Sequence, residues 1–396
     1  MKGEFSHIER LLGSDLRTHD PYDLWRTGFG LWLKKLYYGK GKITIPIVGP
    51  FYLLDMYAPR LIRLFIKPQE YPAVRAFAVL IALNYFQITS QKKFVDLAAK
   101  SVDWLVANQS KGYSGACWGF DMPWMTKTGC FPPLTPFITT TPYCVEALVK
   151  FSDLTKNDKY LEIALTSLHF LDNDLHKLVD NAQMLAVSYG PSRDKRIVIN
   201  SNAYAMMLYS LLANRITGLK DILQDKATRI YNFIESTQND DGSWPYYADK
   251  GNGNFIDCYH SCYILKNMIK YSKYTGKDTT TTLNRGIEYI LTNFYDQKYG
   301  LARKFTVKAN PTLAKFDIYD QAELLNLLLL TGRRSEAEKL YNAIHEHFYV
   351  PSTESYGYQI DILGKLNKMS YLRWAVMPML YAQSEYYKSS GIKDWI

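Results

Sequence analysis

The sequence predicts an all-α protein, an (α/α)6 toroid in which six helical hairpins close into a barrel behind an irregular N-terminal wrap. Three observations predict it. Short turn signals recur at Thr89, Thr155, Thr217, Thr275, Thr331 and Ser390, about sixty residues apart, and a fixed period of this kind marks a repeat architecture. Each turn follows a segment that is apolar nearly all round, and most precede one with a charged stripe. A buried helix therefore alternates with a half-exposed one. No region reads as a run of strands.

Residues 1–70 are expected to form the wrap and residues 71–396 the toroid. "MKGEFSHIERLLGSDL" is interrupted by acids and reads as no signal peptide. Residues 24–68, "LWRTGFGLWLKKLYYGKGKITIPIVGPFYLLDMYAPRLIRLFIKP", interleave apolar, aromatic and basic side chains. Two readings stay open for them: an irregular wrap that fills the place of the missing sixth outer helix, or a segment lying on an anionic membrane surface. No stretch of eighteen uninterrupted apolar residues predicts a bilayer span.

The hairpins follow in order. "AVRAFAVLIALNYF", "YCVEALVKFSDL", "NAYAMMLYSLLANR", "YHSCYILKNMIKYSKY", "DQAELLNLLLL" and "YLRWAVMPMLYAQSEYY" are the six inner helices. Amphipathic partners such as "KYLEIALTSLHFLDNDL" and "SEAEKLYNAIHEHF" lie outside them. Gly218, Gly276 and Gly332 follow a threonine in three of the turns and suit left-handed helix caps. The connections over about 109–141, 175–200, 239–256, 295–316 and 350–370 are too long to be simple linkers. They gather over the N-termini of the inner helices, where free N–H groups and helix dipoles favour anions.

Composition narrows the function. The 396 residues carry a net charge of +9, 32 Tyr and 8 Trp. No basic tail or nucleic-acid motif accompanies the charge, so an anionic ligand or membrane surface is the expected partner rather than nucleic acid. The five cysteines, Cys117, Cys130, Cys144, Cys258 and Cys262, lack metal-ligand spacing and read as buried thiols in a reducing, cytoplasmic setting, with peripheral contact at the inner membrane face if residues 24–68 dock there. No metal and no cofactor are expected.

Candidate site residues cluster where a long connection meets an inner helix. Trp118, Asp121 and Trp124 come from the first connection; Tyr189, Arg193, Lys195 and Asn202 from the second. Trp244, Asp257, Tyr259 and His260 come from the third, Asp317 from the fourth, Arg373 and Trp374 from the fifth. Flat rings with carboxylates and amides suit a sugar, whose C–H faces stack and whose hydroxyls need directional partners. Arg193, Lys195 and Arg373 suit a carboxylate or phosphate. Asp121, Asp257, Tyr259, His260 and Asp317 are the candidate acids and bases. Each has a plainer reading: Asp257 and Asp317 as N-caps, His260 as a core histidine, Trp244 as a clasp over the preceding helix.

"QNDDGSW" (238–244) resembles the QW motif of squalene and oxidosqualene cyclases, but neither their D-x-D-D motif nor the D-D-x-x-D of class I terpene synthases is present. A closer resemblance rests on "WGFDMPW" (118–124), "SYGPSRDKRIVINSNAY" (188–204), "DGSWPYY…FIDCYHSCYIL" (241–265), "FDIYDQAE" (316–323) and "SYLRWAVMPMLYA" (370–382). In that order they are similar to the motifs of a poorly characterised α/α-toroid family encoded among polysaccharide, lipopolysaccharide and glycan-assembly genes. More distantly the layout resembles glucuronyl C5-epimerases and unsaturated glucuronyl hydrolases. That family's Ile-Asp-x-Phe-His-Thr-Gly-Tyr run stands here as "IDCYHSCY", with Tyr259, Ser261 and Cys262 substituted. The resemblance implies an enzyme acting on an acidic, uronate-containing or lipid-linked glycan. C5 proton abstraction is the leading expectation. Hydrolysis by paired carboxylates and a non-catalytic glycan-binding scaffold are the alternatives.

Overall fold

A computed structural model describes residues 2–126, 129–192, 195–249, 251 and 253–389. Helices α1 (Lys2–Gly13), α2 (Gly28–Lys40), α3 (Ile45–Tyr57) and α4 (Pro59–Arg63) come first. Five hairpins follow: α5 (Pro72–Thr89) with α6 (Lys93–Ala107), α7 (Thr141–Thr155) with α8 (Asp158–His169), α9 (Ile199–Ala213) with α10 (Lys220–Ser236), α11 (Cys258–Thr275) with α12 (Thr280–Asn293), and α13 (Ile318–Leu330) with α14 (Arg334–Phe348). Helix α15 (Met377–Ser389) completes the inner set. The inner helices touch in sequence, α5 to α7 and onward to α15, and α15 packs back on α5. The molecule is an α/α toroid, as its periodicity predicts.

Burial follows the expected division. Every residue of α9 is buried, whereas α6 buries only Phe94, Ala98, Ser101, Val102 and Leu105, one helical stripe. Helix α5 is, among the described residues, the one helix long and apolar enough to cross a membrane. Its apolar surface is spent inside the ring, against α6, α7 and α15. The α5–α15 seam is fastened by Asn84, whose Nδ2 donates to Ser384 Oγ at 2.9 Å and whose Oδ1 accepts from Lys388 Nζ at 2.8 Å. Helix α1 lies against α6, sinks Ile8 and Leu12 into the core, and pairs Glu9 with Lys93.

The short turns join inner to outer helices at one end of the ring. Gly276 adopts the left-handed cap with φ +74°, as its place in the turn requires. After α5 and α7 the same conformation falls on Ser90 and Lys156, both at φ +57°, which no glycine signals. The turn at Ser390 lies outside the described residues. The long connections carry strands of two to four residues, too short for alternation to announce. Ile256–Asp257 pairs with Phe305–Val307, and Gln359–Asp361 lies between Leu366–Asn367 and Ala314–Asp317. These ladders tie neighbouring connections into a collar above the inner-helix N-termini.

Candidate functional site

Inside the collar two adjoining cavities of about 450 and 380 Å³ open over the ring. Tyr22, Phe255, Tyr259 and Trp374 line both. Their walls come from separate connections and from the N-terminal segment, which contributes Tyr22, Lys34 and Tyr38 to the larger one.

Asp257 and His260 form the chemical centre. Asp257 ends a strand in extended geometry and stands at the N-cap of α11, but its carboxylate makes no cap bond. The capping contact comes from the next hairpin instead: Tyr259 N–H donates to Asp320 Oδ1 at 2.9 Å. Relieved of that duty, Asp257 is 3% exposed and sets both oxygens 2.8 Å from His260 Nδ1. With the ring proton on Nδ1, Nε2 presents a lone pair, and among the described residues no protein group bonds it. His260 lines the larger cavity, packed between the rings of Tyr259 at 4.0 Å and Tyr246 at 4.7 Å. Burial raises both phenols well above the usual tyrosine range, with the Asp257 charge adding to it, so they stay protonated.

In the smaller cavity Lys304 bridges two carboxylates. Its Nζ lies 2.5 Å from Asp317 and 3.9 Å from Asp320. Burial opposes its charge, yet attraction to the two acids outweighs that and keeps it an ammonium. One cation cannot neutralise two buried carboxylates. Burial, against the pull of Lys304, drives Asp320 upward toward its protonated form, and among the described residues Asp320 Oδ2 has no hydrogen-bond partner.

Two polar groups in the lining of the larger cavity bear on what it can bind. Asn200, near the start of α9, is 2% exposed, and among the described residues neither its Oδ1 nor its Nδ2 has a partner. A buried amide is ordinarily satisfied. This one stands in the lining of the larger cavity. Lys34 lies 5.3 Å from the Trp124 ring and 5.5 Å from that of Tyr22, and burial pulls its ammonium down to about 8. Trp374 Nε1 is likewise buried without a partner among the described residues.

Of the residues the sequence nominates, Asp257, Tyr259, His260, Trp124, Tyr189 and Trp374 meet around the cavities, and Tyr189 shares a 3.0 Å hydrogen bond with Thr139. Others do not. Trp118 is fully buried and its Nε1 donates to Leu105 O at 2.8 Å; Trp244 does the same to Ile234 O at 2.9 Å. Each indole caps a carbonyl in the last turn of the outer helix before it, where helix carbonyls lack partners. Both are clasps rather than stacking platforms. Asn202 is fully buried and bonded to Val187 and Val198 backbone atoms, holding the connection rather than a ligand. Asp121 and Lys195 are exposed and line neither cavity. Arg193 lies outside the described residues.

Two further candidates reach a cavity with their charge already committed. Asp317 is an N-cap as well as a Lys304 partner, accepting from Tyr319 N–H at 3.0 Å and from Gln359 Nε2 at 2.8 Å. Arg373 borders the larger cavity, but its fork grips Asp20 through Nε at 2.6 Å and Nη2 at 2.8 Å. Arg196, also in the lining, is held by Asp249 and stacked over Tyr247. Sequence reasoning overlooks Lys34 and Tyr22, because nothing in the N-terminal segment marks them out from its other basic and aromatic residues. For Lys304, Asn200 and Asp320, proximity to the inner-helix N-termini is the signal available.

No family model matches the chain, and no curated protein matches it in sequence. Its fold is shared with solved structures of low identity. The cellobiose 2-epimerase of Bacillus thermoamylovorans B4167 superposes with a TM-score of 0.64 at 10% identity, over 81% of this chain and 88% of its own. The GH76 α-mannanase BT2949 of Bacteroides thetaiotaomicron gives 0.60 at 13% identity, over 82% and 87%. A family 105 glycoside hydrolase of C. acetobutylicum ATCC 824 gives 0.57 at 12% identity, over 80% and 94%.

Proposed function

We propose that the protein is a carbohydrate-active enzyme that moves a proton at a sugar carbon, with an acidic, uronate-containing glycan as substrate and C5 epimerisation as the reaction. The observation that carries this reading is the His260–Asp257 pair, with an Nε2 that no described residue bonds, set among rings at the floor of a glycan-sized cavity. The fold is also one used by solved sugar epimerases and a D-mannose isomerase.

In the proposed step, the lone pair on His260 Nε2 takes the C5 proton. The C–H electrons move into the adjacent carboxylate, and Asp257 stabilises the imidazolium that forms. Lys34 holds the enlarged negative charge. Tyr259, kept protonated by burial, returns a proton to the opposite face of C5, and the electrons return to the new C–H bond. Proton count and charge balance when His260 and Tyr259 exchange their protons with solvent after turnover. Hydrolysis by paired carboxylates has weaker support, because Asp121 lines neither cavity and Asp317 is occupied.

The test is incubation with uronate glycans in deuterated water. Deuterium at C5 without chain cleavage is expected. New reducing ends without C5 exchange overturn the reading in favour of a hydrolase.

A further inference from the structure

The stretch between α1 and the ring is apolar where the rest of the surface is not. Most of the exposed large apolar side chains among the described residues lie between Phe29 and Phe65. Ile43 is 80% exposed, Leu64 75% and Phe65 86%. Helix α3, "IPIVGPFYLLDMY", is apolar nearly all round and has no buried residue. A helix of that composition belongs in a protein core or against lipid, and α3 is outside the core. The hairpin tip at Ile362 and Leu363, 56% and 82% exposed, extends the same face, moored by Tyr57 OH donating to Asp361 Oδ2 at 2.9 Å.

Charge identifies what covers this face. Lys35, Lys40, Lys42, Arg60 and Lys67 are exposed around it. The one acid between residues 24 and 68 is Asp55, and it is engaged by Arg63 and by Trp25 Nε1. The free charge is therefore uniformly positive. Aromatic side chains at the rim, including Trp32, Tyr52 and Tyr57, are the type that settles at a lipid headgroup boundary. Pairing with a second copy through a twofold axis would set these cations against themselves.

We infer that α2, α3 and α4 form a docking surface for an anionic lipid bilayer, with the apolar side chains entering the headgroup–acyl boundary and the lysines meeting lipid phosphates. The same helices supply Lys34 and Tyr38 to the larger cavity and Tyr52 and Met56 to the smaller. Docking thus sets the cleft beside the headgroups, a position suited to a glycan still attached to its lipid. That last clause rests on the proposed function; docking itself does not.

The experiment is co-sedimentation of the full chain with equimolar phosphatidylcholine–phosphatidylglycerol vesicles at low salt. Binding is expected, weakened by added salt and by pure phosphatidylcholine. Lys40→Glu and Lys42→Glu should each reduce it roughly fivefold or more, and the Leu64→Asp/Phe65→Asp pair should abolish it with thermal stability unchanged, because all four side chains are exposed. Proton exchange on a free glycan should survive the Leu64→Asp/Phe65→Asp pair, which separates failure of docking from failure of the catalytic reading. Absence of vesicle binding, equal binding by the variants, or a stable dimer that this pair dissociates would each overturn the proposal.

Discussion

At the scale of single residues the site depends on which polar groups are satisfied and which are not. Asp257 serves His260 because Asp320 caps α11 in its place. His260→Ala should lower C5 exchange about 10²- to 10⁴-fold, the usual worth of a positioned base, and Asp257→Asn should lower it with the fold intact by circular dichroism. Asn200→Ala removes a buried amide that has no partner among the described residues. Its thermal midpoint should hardly move, while substrate affinity falls about three- to tenfold, the worth of one or two hydrogen bonds; scanning calorimetry reads the first and titration calorimetry the second. Lys34 is pulled down to about 8 by burial, so it is charged below that pH and neutral above it. Affinity for an anionic glycan should therefore fall as pH rises through about 8. Lys34→Met should be weaker below that pH and lack the step; a bound anion, favouring the charged form, should move the step upward in the complex.

At the scale of elements, the two indole clasps hold collar to ring. Trp118 and Trp244 close off the ends of α6 and α10, and a Cβ on Gly286 of α12 would come within 2.7 Å of the Trp244 ring. Trp118→Ala and Trp244→Ala should each cost about 3–5 kcal/mol in denaturant unfolding, from lost burial and an unmade bond. Exchange per folded molecule should persist, whereas a true stacking platform would lose activity at constant stability. Both tryptophans were legible as residues of the right kind in the right loops. Their orientation was not, because a Trp beside a helix end serves as clasp or platform according to which way one torsion turns it.

At the scale of the molecule, the N-terminal segment is bound into the site by a buried ion pair. Arg373 and Asp20 are 353 residues apart in sequence and both nearly inaccessible. Breaking the pair leaves one charge without compensation. Asp20→Asn or Arg373→Met should therefore cost about 3–5 kcal/mol, and the double variant less than the two together; urea denaturation of all three checks this. Arg373 looked from sequence like a ligand for the substrate's carboxylate. Its partner is the chain's own, and Lys34 on the same N-terminal segment brings a further cation to the larger cavity.

The toroid was determined by the sequence alone, since helix period, turn chemistry and the alternation of buried with half-buried helices are local and repeat along the chain. Local order also placed Asp257, Tyr259 and His260 together on one helix start. Only the tertiary structure decided the partners: Asp320 for the α11 cap, Asp20 for Arg373, two outer-helix carbonyls for the indoles, and none among the described residues for Asn200. A side chain's charge and hydrogen-bonding capacity are written in its identity. What it spends them on depends on distances that exist only once the ring has closed.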